Sequence, residues 1–409
     1  MGKYPFRLEN LKMRLSEDFW RFVQEHQGDD VLRLRLKYAG GHNEEIDLAI
    51  DQIEARKKVG RKLPMFLQHE RLLFPSALSA EQCSSEDTAD YKRQLIAGRF
   101  HSICDLTGGL GIDAYYMATV ANRLTYIERF EQYCDVARYN FETLEQKNID
   151  VINADCREFL AKPHPTHELY FIDPARRGTG NKRVFHLCDC EPSVADILPQ
   201  VWAEGASLLL KASPMLDVKQ VIDELGQVCE VHVLSVRNEC KELLLLLSPK
   251  ATVASRIYCV NKTAEGVWQS YSFFLEEEAQ LPSSPAALLQ KYLYEPNSAI
   301  MKAGAFKSVA HSFDVDKLAV SSHLYTSDRL VADFPGRMFE ILEAIPFSKS
   351  SLKEAIGKYP KANVAVRNFP LSVEELCRKG HIKDGGDIYL FATTVGSEKM
   401  LIYSRKVSV

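Results

Sequence analysis

The sequence predicts an α/β chain with a doubly wound, mostly parallel sheet at its centre, a helical region before it and small α/β modules after it. Three observations lead there. Between Phe100 and Pro249, short β-rich apolar runs alternate with helix-length amphipathic stretches, the texture of a parallel sheet covered on both faces. Upstream, apolar residues recur every three or four positions. Downstream, Pro282 to Pro285 punctuates the chain and strand and helix patterns resume. With 409 residues, 46% hydrophobic and 26% charged, the chain is long enough for two or three packed units and too apolar for a disordered one.

The elements follow in order. Leu8, Leu11, Leu15 and Phe19, then Ile46, Leu48, Ile50 and Ile53, mark amphipathic helices, and Ser84 or Ser85 caps a further one that reaches Ile96. Strands are expected at Ser102–Leu106, Leu124–Glu128, Val151–Ala154, Leu169–Asp173, Ser207–Ala212, Cys229–Val236 and Glu242–Ser248. Helices are expected between them at Ile112–Ala121, Glu131–Lys147, Asp155–Ala161, Ser193–Ala203 and Val218–Leu225. Arg237 to Lys241 is too short for a parallel crossover, so the last two strands should pair antiparallel at the sheet edge. Arg256–Val260 and Gln269–Leu275 read as a hairpin around Glu265-Gly266. Lys349 to Lys361 reads as a lysine-faced helix, and Ser372-Val373-Glu374-Glu375 as a capping box that follows a strand ending at Arg367 to Phe369.

Charge and composition narrow the function. A net charge of −4 argues against a polybasic nucleic-acid binder, yet the stretch from Pro296 onward carries +4 against −8 before it, the sign expected if it touches an anionic partner. Ten cysteines scattered through apolar runs read as reduced core residues of a cytoplasmic protein. The start, Met1 to Phe6, lacks an apolar signal core, and no apolar run approaches the roughly 20 residues of a membrane span. His186, Cys188 and Cys190 lack the paired spacing that zinc prefers, so no metal is expected.

The chemistry concentrates at predicted strand ends. Asp105-Leu106-Thr107-Gly108-Gly109-Leu110-Gly111-Ile112-Asp113 stands between a strand and a helix, where glycines let a ligand approach the main chain. Gly109 to Ala114 satisfies G-x-G-x-x-A, and Glu128 follows Gly109 by 19 residues, as in a dinucleotide site, so a nicotinamide-dependent oxidoreductase competes. Against it, Asp105 would repel a close pyrophosphate but accept from a ligand's ammonium group. Asp155 follows the third strand, where it could accept from an adenine amino group or simply cap a helix. The fourth strand ends in Asp173-Pro174-Ala175-Arg176-Arg177, a signature no pyrophosphate site needs.

These segments, in this order, resemble the successive motifs of the class I S-adenosylmethionine-dependent methyltransferases. On both flanks, Glu81 to Glu86 with Thr88 to Lys92, and Tyr294 to Asn297, Lys302 to Gly304, Pro335 to Arg337 and Asn363 to Phe369, resemble the bacterial methyltransferases with a C-terminal THUMP-like domain. The resemblance implies a Rossmann-like seven-stranded methyltransferase sheet with ferredoxin-like and THUMP-like α/β modules, divided as 1–98, 99–275, 276–325 and 326–409. It implies S-adenosyl-L-methionine as cofactor and RNA as substrate, since THUMP domains occur in RNA-modifying enzymes. Asp105, Thr107, Gly108, Gly109 and Gly111 would hold the methionyl part, Glu128 the ribose, and Asp155 with Cys156 the adenine; Asp113 and Arg129 join that cofactor set. Asp173, Pro174, Arg176 and Arg177 would form the target site, with Lys211 facing the same cleft. The family's amino-methylating members carry a second proline and an aromatic where Ala175 and Arg176 stand, and C5-methylating members need a cysteine where this chain has Ser213. A non-catalytic, cofactor-gated RNA-binding protein is the remaining alternative.

Overall fold

The computed structural model describes residues 15–40, 43–176, 190–251, 254–283, 285–286, 288–348, 350–352 and 358–407. Helices α1 (Glu17–His26), α2 (Val31–Tyr38), α3 (Glu44–Val59), α4 (Ala77–Gln82) and α5 (Glu86–Ile96) build the N-terminal region. Ser16, Asp30 and Asn43 accept hydrogen bonds from first-turn amides of α1, α2 and α3, satisfying donors that have no partner within a helix. Phe19, Trp20 and Val23 of α1 pack on Leu48, Ile50 and Ile53 of α3, the periodic residues of the sequence; Leu8 and Leu11 lie outside the described residues. Of the two candidate serines, Ser85 caps α5 through Thr88 N.

The central strands are β1 (Ser102–Asp105), β2 (Arg123–Glu128), β3 (Ile149–Asn153), β4 (Leu169–Ile172), β7 (Ser207–Ala212), β8 (Val228–Val236) and β9 (Glu239–Leu247), and a short pair, β5 (Ala175–Arg176) with β6 (Cys190–Glu191), stands apart from them. Helices α6 (Ile112–Ala118), α7 (Glu131–Thr143), α8 (Cys156–Leu160), α9 (Val194–Ala203) and α10 (Val218–Leu225) alternate with the strands. The sheet runs in the order β3-β2-β1-β4-β7-β9-β8, parallel except for β9. From β1 the chain first builds outward through β2 and β3, then returns to build β4 and β7 on the other side. The ends of β1 and β4 therefore flank the point where strand order reverses, the place where open α/β sheets bind ligands.

The antiparallel pair β8–β9 forms, but it does not end the sheet. Strands β10 (Arg256–Lys262) and β11 (Trp268–Phe274), the expected hairpin, extend it to nine strands, with β10 parallel to β8. An edge at β8 would leave a row of main-chain donors and acceptors open, and β10 pairs with it while burying Ile257, Cys259 and Val260.

By packing, the chain falls into two compact units, Met1–Cys229 with Leu243–Thr252, and Glu230–Glu242 with Val253–Val409. The second contains a seven-stranded sheet of β12 (Tyr292–Pro296), β13 (Asp316–Lys317), β14 (Tyr325–Ser327), β15 (Gly336–Pro346), β16 (Asn363–Val366), β17 (Ile388–Val395) and β18 (Glu398–Lys406), in the order β13-β14-β12-β15-β18-β17-β16. Ser372 and Glu375 form the expected capping box on helix Val373–Gly380, and β16 precedes it. At the centre of this sheet the Glu295 carboxylate is buried and takes two guanidinium groups, Arg337 Nε at 2.7 Å and Arg367 Nη2 at 3.0 Å. Much of the expected helix Lys349 to Lys361 lies outside the described residues. No helix among the described residues is long and apolar enough to cross a membrane.

Candidate active-site cleft

A cleft of about 660 Å³ opens at the strand ends of the first unit. Its floor is the turn from β1 into α6. Leu106 N bonds to Phe171 O on β4 and Gly108 N to Ile127 O on β2, so neighbouring strands hold the loop from both sides. A Cβ on Gly108 would lie 2.2 Å from the Tyr126 ring, which is buried and donates its hydroxyl to Gly109 O at 2.6 Å. Gly111 sits at φ +80°, where a side chain would be strained and would also meet Phe141 at 2.9 Å. The glycine pattern is thus imposed by local packing as well as by any ligand.

Of the acids that line this cleft, four stand at or just after the ends of β1, β2, β3 and β4. Asp105, ending β1, is 1% exposed and accepts from Thr107 N at 3.0 Å. Burial pushes its carboxyl up to about 8; the Thr107 bond opposes this, while Asp113, Asp173 and Glu128 reinforce it. Glu128, ending β2, accepts from Gly109 N and Phe130 N, both at 3.0 Å, and so ties the loop to the start of α7. Asp155 caps α8 and chelates Arg157, with Oδ2 2.7 Å from Nη2, which pulls its carboxyl down to about 2. Both readings of Asp155 are therefore compatible with its position: it caps a helix and lines the cleft. Cys156 beside it is buried, and Arg129 stacks over Phe130 at 4.9 Å and reaches Glu191 at 3.4 Å.

Asp173, after β4, is the fourth. Its backbone N donates to Thr107 Oγ1 at 2.7 Å, fixing the turn against the glycine loop, and its Oδ2 lies 2.6 Å from Lys211 Nζ. Pro174 lines the cleft beside it. Arg176 pairs through its backbone with Cys190, and Arg177 lies outside the described residues, as do His186 and Cys188. Among the described residues no group of three or more His, Cys, Asp or Glu side chains is placed to hold a metal ion.

Asp113 takes a different place from its loop neighbours. Its Oδ1 meets Lys92 Nζ at 2.9 Å and its Oδ2 accepts from Ser84 Oγ at 2.6 Å. Burial alone would raise its carboxyl, but Lys92 and Lys211 with the Ser84 bond outweigh that and hold it below the usual range. Ser84 Oγ also accepts from Lys211 Nζ at 3.1 Å. A polar chain thus runs Lys92–Asp113–Ser84–Lys211–Asp173 across the cleft. Lys211 faces the cleft as its place at a strand end implies, whereas Ser84 and Lys92 join the site unannounced, although both lie in the stretch Glu81 to Lys92 that carries the family resemblance.

The ferredoxin-like domain family matches residues 292–335 and the THUMP domain-like family residues 336–406. No curated protein matches the chain in sequence. A candidate methyltransferase from Porphyromonas gingivalis W83, known from its crystal structure, is 34% identical, with a TM-score of 0.85 over 97% of this chain and 99% of its own. The chain belongs to the class I methyltransferases with a C-terminal THUMP-like domain. Other solved structures match over less than half of this chain, among them the following two. A candidate RNA methyltransferase from Pyrococcus horikoshii is 13% identical over 45% of this chain and 97% of its own, at a TM-score of 0.32. A candidate methyltransferase from Streptococcus mutans, in complex with SAH, is 15% identical over 39% and 94%, at 0.29.

Proposed function

We propose that this chain is an S-adenosylmethionine-dependent methyltransferase acting on a base in RNA. One observation carries the reading: acids at the ends of β1, β2 and β4, and one just after β3, converge on a glycine loop at the point where strand order reverses. The residues fit the cofactor. The close-packed Gly108 and Gly111 leave the loop bare, and Asp105 is a buried acid that a nearby cation would return to its charged form. A ring of carboxylates suits a sulfonium and an ammonium better than a pyrophosphate, which weighs against the nicotinamide enzyme.

In this reading Asp105 and the loop Thr107–Gly111 hold the methionyl end, Glu128 takes the ribose hydroxyls, and Asp155 with Cys156 flanks the adenine. Arg129 and Phe130 border that end of the cleft. Asp113 acts one step back, through Ser84 and Lys92. S-adenosylmethionine held by these residues would supply an electrophilic methyl carbon to the target's lone pair. Asp173 accepts a hydrogen bond from the target and aims its lone pair, and the cleft walls exclude water. Cys83 and Cys156 also line the cleft, but burial pushes both thiols up to about 11, so neither offers the thiolate that C5 methylation of a pyrimidine requires. The THUMP-like segment and the positive stretch from Pro296 onward support an RNA partner.

The test is calorimetric titration of the full chain with S-adenosylhomocysteine, repeated on Asp105→Ala and Glu128→Ala. Micromolar binding, about −8 kcal/mol, weakening at least tenfold in both variants is expected; no binding by the wild type overturns the assignment. Transfer of labelled methyl to RNA from cells lacking the protein, abolished by Asp173→Ala while RNA affinity persists, distinguishes the enzyme from a cofactor-gated RNA binder.

A further inference from the structure

We propose that Lys211 determines substrate specificity: with Asp173 it selects a neutral, planar nucleobase edge on which an N–H donor stands beside a lone-pair acceptor. The inference rests on the methyltransferase reading above and narrows its substrate. Lys211 is the fifth residue of β7, and its ammonium lies 2.6 Å from Asp173 Oδ2. The Lys211 side chain is only 15% exposed and Asp173 is 39% exposed, so the pair sits at the cleft wall with its carboxylate nearer to solvent.

Charge decides which targets this pair accepts. A carboxylate or phosphate nucleophile brought to it would face the Asp173 carboxylate. An alkylammonium would face Lys211 and, in the loaded enzyme, a sulfonium. A plain hydroxyl would satisfy one member of the pair and displace it from the other, leaving a partly buried charge without its partner. A neutral edge carrying donor and acceptor side by side complements both charges at once, the polarity found on the pairing edges of adenine and cytosine.

Ser84 positions the ammonium. It is 8% exposed, accepts from Lys211 Nζ at 3.1 Å and from Lys92 Nζ at 3.4 Å, and donates to Asp113 Oδ2 at 2.6 Å. Asp113 stands two residues beyond Gly111, in the first turn of α6. The direction of the Lys211 ammonium is therefore referenced to the same turn that forms the glycine loop, which aligns the target with the methyl donor.

The experiment uses the full chain saturated with S-adenosylhomocysteine and two nucleoside series: adenosine, purine riboside and 1-deazaadenosine; cytidine, pyrimidin-2-one riboside and 3-deazacytidine. In each series the second compound lacks the amino donor and the third lacks the ring acceptor. The wild type should bind one parent nucleoside at least tenfold tighter than both of its relatives. In Lys211→Met the penalty for the deaza compound should fall to about twofold while the penalty for the missing amino group persists. Ser84→Ala should move the deaza penalty the same way, and Ser84→Thr should restore it, a pattern a purely structural defect would not give. A cooperative thermal unfolding transition in each variant shows that the protein has folded. An equal deaza penalty in wild type and Lys211→Met, or no nucleoside binding by the loaded wild type, overturns the proposal and leaves the methyltransferase reading standing. Failure of the wild type to bind S-adenosylhomocysteine removes both.

Discussion

Replacing Lys92 by methionine isolates the buried charge at the centre of the first unit. Lys92 is 0% exposed and the Asp113 side chain 11%, at 2.9 Å, so the substitution leaves a carboxylate with little access to water. Removing one partner of such a pair costs about 3–5 kcal/mol, far more than the pair's net worth, because the remaining charge keeps its desolvation penalty. For a unit of this size that corresponds to a fall of roughly 6–20 °C in Tm. The double variant Lys92→Met/Asp113→Leu, which removes both charges, should be more stable than Lys92→Met alone by about 2 kcal/mol or more. The pH dependence has a definite sign. In the wild type the Asp113 carboxyl is held below its ordinary value, so its contribution is present above the unfolded pKa of about 3.9 and is lost as pH falls through the lower folded value. Without Lys92 that depression is reduced, so the deficit of Lys92→Met should shrink toward acid pH as Asp113 takes up a proton. Urea unfolding of the four proteins in the cycle, at neutral and acid pH, measures this. Simple additivity of the two single changes would refute the buried-pair reasoning.

Three further outcomes are expected. Gly108→Ala drives a methyl into the anchored Tyr126 ring and should cost about 2–4 kcal/mol from overpacking and a broken hydrogen bond, read as a lower Tm together with weakened S-adenosylhomocysteine binding; an unchanged Tm counts against the close packing. Asp105 has a folded pKa of about 8 against about 3.9 unfolded, so the stability it contributes is present below the unfolded value and is lost as pH rises toward 8. Asp105→Asn should flatten that slope, raising stability at pH 8 by on the order of 2–4 kcal/mol while weakening cofactor-product binding, as thermal melts at pH 5 and 8 would register. Asp155→Ser keeps the cap of α8 and Asp155→Ala loses it, so their difference in stability should be about 1 kcal/mol, whereas equal losses of S-adenosylhomocysteine affinity in both would assign the carboxylate itself to the ligand.

What the sequence made legible was local. The glycine loop, the acids at strand ends and the capping box around Ser372 are each written within a few consecutive residues, because turns, caps and strand ends are set by short-range chemistry. Asp113 shows the limit: it lines the cleft with the rest of the motif, but nothing local announces that its carboxylate also meets Lys92, 21 residues earlier. Ser84 and Lys211 are 127 residues apart, and no local pattern announces that a residue beside a helix cap and a strand lysine meet over one cleft. The extension of the sheet by β10 was hidden for the same reason. Its hairpin is a local signal, but its pairing with β8 answers an unpaired edge that exists only after the sheet is assembled.

The buried Glu295 carries a lesson about cutting the chain. It belongs to the segment matching the ferredoxin-like family, while both of its arginines, and the strand β15 that pairs with β12 from Tyr292↔Glu340 to Pro296↔Gly336, belong to the segment matching the THUMP-like family. A fragment ending at residue 335 would strip an acidic group of both counterions and bare one side of a central strand; a fragment beginning at 336 would inherit the two stranded cations. Two names mark this stretch of sequence, yet Leu293, Leu318 and Leu324 of the first segment share one apolar cluster with Phe339, Phe391 and Ile402 of the second, so a cut at the family boundary divides a common interior.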